Sequence, residues 1–130
     1  MYKKVIFNIC MIFSFCCCAQ NQKFESFTPA EFEKLLKDDS SIQLVDVRRP
    51  EEYSAGHINN AVLIYVQEDN FISKADSMLD KSKPVAVYCR SGKRSKDASK
   101  KLAGKGYKVY ELNDGYLGWV EYRKTIDNVP

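Results

Sequence analysis

Four short apolar runs, separated by stretches of helical periodicity, leave this chain few folds to choose from. Residues 42–47, 61–66, 85–88 and 109–112 are brief and rich in branched apolar side chains, as strands buried on both faces are. Between them the spacing turns helical. Thr28, Pro29 and Glu31 supply an N-cap, a first-turn proline and a capping-box glutamate. Phe27 and Phe32 stand where a hydrophobic staple would, and Phe32, Leu35 and Leu36 share one face. Pro50, Glu51 and Glu52 open a short helix that Gly56 can close. Residues 71–79 put Phe71, Ala75, Met78 and Leu79 on one side. Residues 92–103 put Ser95, Ala98, Ser99 and Leu102 on a narrow face of mostly small side chains, with Lys93, Lys96, Lys100 and Lys101 outward. A last helix is expected over residues 116–123. Strands and helices alternating at this spacing predict an α/β fold, with a mostly parallel sheet of about four to five strands and helices on both faces.

With 130 residues there is room for one domain and not two. The apolar and charged shares, 45% and 28%, are those of ordinary soluble domains and speak against disorder or a membrane bundle. The net charge of +3 points to no acidic partner, and nothing in the pattern suggests a nucleic-acid reader. A monomer is expected. The start of the chain reads differently. Lys3 and Lys4 precede an apolar run from Val5 to about Cys18, shorter than the roughly 20 residues of a spanning helix and laid out like a secretory signal. Residues 1–19 are therefore expected to direct export, to a bacterial periplasm or its membrane. Cleavage after Ala19 is one route; the other makes Cys18 the acylated first residue of a membrane-tethered lipoprotein. Three adjacent cysteines favour the lipoprotein, although Phe15 stands where a smaller aliphatic residue is usual, and an uncleaved anchor is the remaining alternative. Residues 20–26 read as a polar tether, 27–124 as the domain and 125–130 as a C-terminal tail.

Cys10, Cys16, Cys17 and Cys18 fall in the leader, so Cys89 stands alone in the expected mature domain, without a disulfide partner. In an oxidising compartment such a cysteine is deeply buried or used for chemistry. Its context favours chemistry. The strand over residues 85–88 ends at Cys89, and Arg90-Ser91-Gly92-Lys93-Arg94-Ser95 turns from it into a helix, at the strand end where open parallel sheets bind ligands. Such a loop aims backbone N–H groups at its centre, and Gly92 permits a turn that bulkier residues resist. The helix adds its positive end and Arg90, Lys93 and Arg94 add full charges, so the thiolate is favoured over the thiol. A cysteine in that state is a nucleophile near neutral pH. The alternative is a small hydrophobe buried at a strand end, the commoner fate of a lone cysteine.

The run from Cys89 to Ser95 resembles the active loop of rhodanese-like domains, and three further segments agree with that family in order. They are Asp46-Val47-Arg48, the stretch from Glu52 through Gly56-His57-Ile58, and Leu112-Asn113-Asp114-Gly115 with Trp119. Two positions depart from the family: Asn60, where glycine is usual, and Asp114-Gly115, where a glycine pair is usual. The resemblance implies a sulfurtransferase that needs no metal or organic cofactor. Cys89 would take the sulfane sulfur of thiosulfate, a polysulfide or another persulfide, hold it as a persulfide, and pass it to cyanide, sulfite or a thiol. The N–H groups from Arg90 to Arg94 would hold the charge at both stages. Phosphatases of this fold need an arginine separated from the cysteine by a five-residue loop. This chain has Ser95 at that position, and Arg94 falls one place short; the tighter loop suits sulfur better than phosphate.

Substrate contacts accordingly fall to Arg90, Ser91, Gly92, Lys93 and Arg94. Arg48 is a candidate contact for an anionic donor, with an ion pair as the equal alternative, and Asp46 and Ser95 are read as supporting. His57 is read as structural, Tyr116, Trp119 and Tyr122 as core packing, and Lys96, Lys100 and Lys101 as a solvated stripe. A non-catalytic module that presents a persulfide, and phosphatase or arsenate-reductase chemistry, are the alternatives from other classes.

Overall fold

The computed structural model describes residues 23–128; the expected leader, the candidate lipid site Cys18, the start of the tether and the end of the tail lie outside them. Five strands, β1 (Glu25–Phe27), β2 (Gln43–Asp46), β3 (Val62–Leu63), β4 (Val85–Tyr88) and β5 (Val109–Leu112), form one sheet in the order β1-β5-β4-β2-β3. Every pairing is parallel. Five helices accompany them: α1 (Pro29–Asp38), α2 (Pro50–Ala55), α3 (Phe71–Met78), α4 (Lys93–Gly104) and α5 (Gly115–Asp127).

The twofold alternation of strand side chains sorts the core into two layers. Val85, Val87 and Cys89 join Val45, Val47, Phe71, Ala75, Ala98 and Leu102 on the face covered by α3 and α4. Ala86 and Tyr88 join Phe32, Leu44 and Leu112 on the other face, against Tyr53, Tyr116 and Trp119 from α2 and α5. Each fully buried branched side chain contributes about 1.5–3 kcal/mol relative to exposure, which is why the all-buried β4 occupies the centre of the sheet. β4 leads into α4 on one face and its neighbour β2 leads into α2 on the other, so the order of connections switches between them, the position at which open parallel sheets place ligand sites.

The expected sheet and the helices on both faces are present, with differences at the margins. Glu25 and Ser26, expected in the tether, pair with Tyr110 and Glu111 and make β1 an edge strand. A three-residue strand with two exposed members carries no periodic signal, and the free edge of β5 selects it. α5 continues past its expected end at residue 123 to Asp127, its last turns carrying Arg123–Asp127 and Lys124–Glu121 ion pairs. Of residues 61–66 only Val62–Leu63 forms a strand, although Ile64 and Val66 still donate to the carbonyls of Asp46 and Val47. Met78, expected inward, is 47% exposed because α3 ends there. The capping box at α1 forms as the sequence implies, Glu31 N–H donating to Thr28 Oγ1 and Thr28 N–H to Glu31 Oε2.

Candidate active site

Cys89 follows directly on β4, and the loop after it curls back over the sulfur. Its Sγ accepts a hydrogen bond from the Gly92 N–H at 3.1 Å and lies 3.4 Å from Ser95 Oγ. The turn depends on Gly92, whose φ is +107° and where a Cβ would meet the Asn113 carbonyl at 2.3 Å. Lys96 N–H donates to Gly92 O and closes the first turn of α4, leaving the preceding N–H groups of the helix without partners inside it and adding positive potential at the loop. The loop is tied from behind. Tyr116 N–H donates to Cys89 O at 2.8 Å and Leu117 N–H to Arg90 O at 3.1 Å, so the start of α5 fixes the carbonyls on the side away from the sulfur. Arg90, Ser91 and Lys93 form an exposed rim. Cys89 itself has no exposed surface.

Two of the expected contacts prove committed elsewhere. Arg94 makes a bidentate pair with Glu52, at 2.6 and 2.9 Å. The hydrogen bond from Arg94 holds the Glu52 carboxyl down to about 2, so the arginine's charge is largely balanced. Arg48 takes up the ion pair that was its equal alternative. It is 3% exposed, its guanidinium grips both oxygens of Asp46 at 2.7–3.0 Å and donates to Gly56 O at 2.6 Å. It also lies over the Tyr116 and Tyr88 rings, on the face of the sheet opposite Cys89. The acceptor that claims it is only two residues away, and Asp46 further accepts from the Arg48 backbone N–H. Asp46 thus anchors the Arg48 side chain and backbone together. His57 stacks on Tyr53 and hydrogen-bonds its carbonyl through Nδ1, and Trp119 packs edge-on against Phe32; both are structural.

The residue that sequence reasoning missed is Glu111. This β5 carboxylate is fully buried and accepts from Ser95 Oγ at 2.8 Å, Ser26 Oγ at 2.6 Å and Lys96 Nζ at 3.2 Å. Lys96 therefore turns inward from its expected place on the solvated stripe, reaching Asn113 Oδ1 as well. The available signal was an acidic side chain at an inward position of an apolar strand, two residues from Val109. The departures from family pattern are also explained. Asn60 adopts φ +69°, a left-handed conformation that asparagine tolerates better than most residues. Asp114 has an ordinary φ of −88°, and the glycine is retained at Gly115, where φ is +64° and a Cβ would strike Arg90 O at 2.4 Å. Among the described residues no cluster of three His, Cys, Asp or Glu is placed to hold a metal ion. A concavity of about 800 Å³ beside His57, Tyr116 and Trp119 includes none of the Cys89 loop; the loop, which carries the one cysteine among the described residues, is the better candidate.

Residues 28–122 match the family described as rhodanese-like domain. This chain belongs to the rhodanese-like domain family. Thiosulfate sulfurtransferase 18 of Arabidopsis thaliana is 32% identical over 100 residues, covering 68% of this chain and 74% of that protein. A tRNA uridine(34) hydroxylase from Pelagibacter ubique is 34% identical over 112 residues, 85% of this chain, which spans only 37% of that protein. The crystal structure of a rhodanese-like domain protein from Staphylococcus aureus superposes with a TM-score of 0.65 at 29% identity, covering 74% of this chain and 91% of that one. Membership of the rhodanese-like family, with relatives named as sulfurtransferases, supports a sulfurtransferase-like function.

Proposed function

We propose that this rhodanese-like domain moves a sulfane sulfur from thiosulfate, a polysulfide or another persulfide to a thiophilic acceptor through a persulfide on Cys89. The observation that carries the reading is a lone sulfur at the carboxyl end of β4, 3.1 Å from the Gly92 nitrogen and under the unpartnered first turn of α4. The Cys89 thiolate attacks the outer sulfur of thiosulfate; a new S–S bond forms, the old one breaks, and sulfite leaves with the electron pair. Cyanide, sulfite or a thiol then attacks the terminal sulfur, and the Cys89 thiolate departs. Two-electron displacement at sulfur needs no cofactor, and the N–H groups of the loop bind the anion at each stage. Phosphoryl transfer fits less well, because Ser95 sits beside the sulfur and the Arg94 guanidinium is engaged by Glu52. The complete closure over Cys89 favours a second reading, in which a partner protein opens the loop of a persulfide carrier. The leader supports export, with the domain released or tethered through Cys18 and working as a monomer on small molecules.

The full chain and its Cys89→Ser variant, assayed with thiosulfate plus cyanide and in parallel with a phosphate ester, test this. Thiocyanate formation should depend on Cys89, and mass spectrometry should find about 32 Da, one sulfur atom, added at that residue. Thiocyanate formation that persists in Cys89→Ser, or turnover of the ester in its place, refutes the assignment.

A further inference from the structure

Glu111 is an expensive residue to bury, since a carboxylate removed from water costs several kcal/mol unless it is paired and hydrogen-bonded. Its partners form a line that ends on the nucleophile. Glu111 Oε1 is 2.8 Å from Ser95 Oγ, and Ser95 Oγ is 3.4 Å from Cys89 Sγ. A serine hydroxyl has one proton to give, and here three acceptors compete for it: the carboxylate, the Gly92 carbonyl at 3.0 Å and the sulfur. The charged acceptor at the shortest distance prevails. Ser95 therefore donates to Glu111 and turns a lone pair to the Cys89 S–H.

We propose that Glu111 is a positioning residue that takes up the Cys89 proton through Ser95 when the thiol becomes a nucleophile. The inference rests on the sulfurtransferase reading only in requiring a thiolate at Cys89. The balance is simple: the S–H proton passes to Ser95 Oγ as the Ser95 proton passes to Glu111 Oε1. The products are a thiolate that accepts from the Ser95 hydroxyl and a carboxylic acid that donates to it. The site holds one negative charge before and after, moved from carboxylate to sulfur, so no charge is created in the dry interior. When an acceptor releases the Cys89 thiolate, the proton returns by the same path. The groups facing Glu111 are Ser95 and Lys96 from α4, Ser26 from β1 and Cys89 beyond Ser95 at the end of β4. Lys96 also reaches Gly92 O and Asn113 Oδ1 and is 40% exposed at its side chain, so its charge serves the loop base as a whole.

A shared proton leaves a signature in pH dependence that a purely structural glutamate does not. The test is the rate of Cys89 alkylation by iodoacetamide in the full chain, followed at the Cys89 peptide by mass spectrometry from about pH 4 to pH 9, a range spanning ordinary carboxyl and thiol ionisation. Wild type should show two rises separated by a plateau, because moving a proton within the site releases none to solvent. Glu111→Gln, which keeps the acceptor for Ser95 but binds no proton, should show a single rise. Ser95→Ala should lower the plateau about tenfold, the loss expected of a hydrogen bond to a charged sulfur, and Ser95→Thr should keep it. A single rise in wild type overturns the proposal even if Glu111→Gln does not fold, and so does a Glu111→Gln profile that overlays wild type. Alkylation uses no sulfur donor, so the result stands apart from the outcome of the thiosulfate assay.

Discussion

Replacing Gly115 by alanine should cost activity as well as stability, because the new methyl group would push on the Cys89 loop and not on the core. Gly115 has φ +64°, and a Cβ there would lie 2.4 Å from Arg90 O, 2.5 Å from Arg90 C and 2.7 Å from Ser91 N. All three are backbone atoms, and none can swing aside as a side-chain tip would. Ordinary contact begins near 3.4 Å, so the loop must retreat by roughly 1 Å, the gap needed to leave the repulsive wall. That retreat strains the Tyr116 and Leu117 N–H bonds to Cys89 O and Arg90 O and displaces Gly92 N–H from the sulfur. The left-handed backbone itself costs alanine about 1–2 kcal/mol, and a misplacement of about 1 Å in an active site costs on the order of 10²-fold in rate. Gly106 supplies the control, since it shares a positive φ, +94°, but a methyl group there would meet nothing within 4 Å. Thermal unfolding should show a larger loss of stability in Gly115→Ala than in Gly106→Ala, and thiocyanate kinetics a kcat reduced about 10²-fold only in Gly115→Ala. Full activity in Gly115→Ala, or an equal loss in Gly106→Ala, would refute the claim that α5 sets the loop.

Arg48→Lys should destabilise the fold by about 3 kcal/mol, as breaking a buried, bidentate pair does, while leaving KM for thiosulfate unchanged; a raised KM with unchanged stability would return Arg48 to the substrate. The Glu52–Arg94 pair should contribute about 0.5–1 kcal/mol near neutrality, measured as the difference in unfolding free energy between wild type and Glu52→Gln. Because the Glu52 carboxyl is lowered from 4.5 to about 2 by the Arg94 hydrogen bond, that difference is fully present above pH 4.5 and disappears as pH falls through about 2; a difference that grows in acid contradicts the pairing. Removing the exposed rim charges in Arg90→Ala and Lys93→Ala should raise KM for thiosulfate while kcat changes little, and the effect should fade in about 1 M salt, where screening is short-ranged. A salt-insensitive KM would show that the rim does not attract the donor.

What was legible in the sequence is what depends on neighbours along the chain. The apolar runs at Val85–Tyr88 and Val109–Leu112 occupy the strands they predict, and the small face Ser95, Ala98, Ser99 and Leu102 is buried as expected. The Cys89 loop was readable because strand end, glycine and helix start are consecutive. What was not legible depends on partners far apart. Ser26 meets Glu111 across 85 positions and Arg94 meets Glu52 across 42, and neither element carries a pattern that names the other. Arg48 stayed undecided for the opposite reason: its nearby Asp46 was visible, but whether a guanidinium faces a pocket or a core is decided by Tyr88 and Tyr116, which close over it only in the folded sheet.

The same pairing changes how the site should be understood electrostatically. Arg48, Arg90, Lys93, Arg94 and Lys96 give the neighbourhood of the loop a strongly basic look in sequence. In the fold Asp46 engages Arg48, Glu52 engages Arg94 and Glu111 engages Lys96. Arg90 and Lys93 remain, both exposed and so screened by salt. Most of the side-chain charge around the loop is thus engaged by carboxylates, and under the proposed transfer the force on a bound anion falls chiefly to backbone N–H groups, of which that of Gly92 already meets the sulfur. Under that reading the dipoles seated at the sulfur need no reorganisation during the transfer step itself. They also act at short range, so they favour an anionic sulfur seated inside the loop over an extended anion resting on its rim.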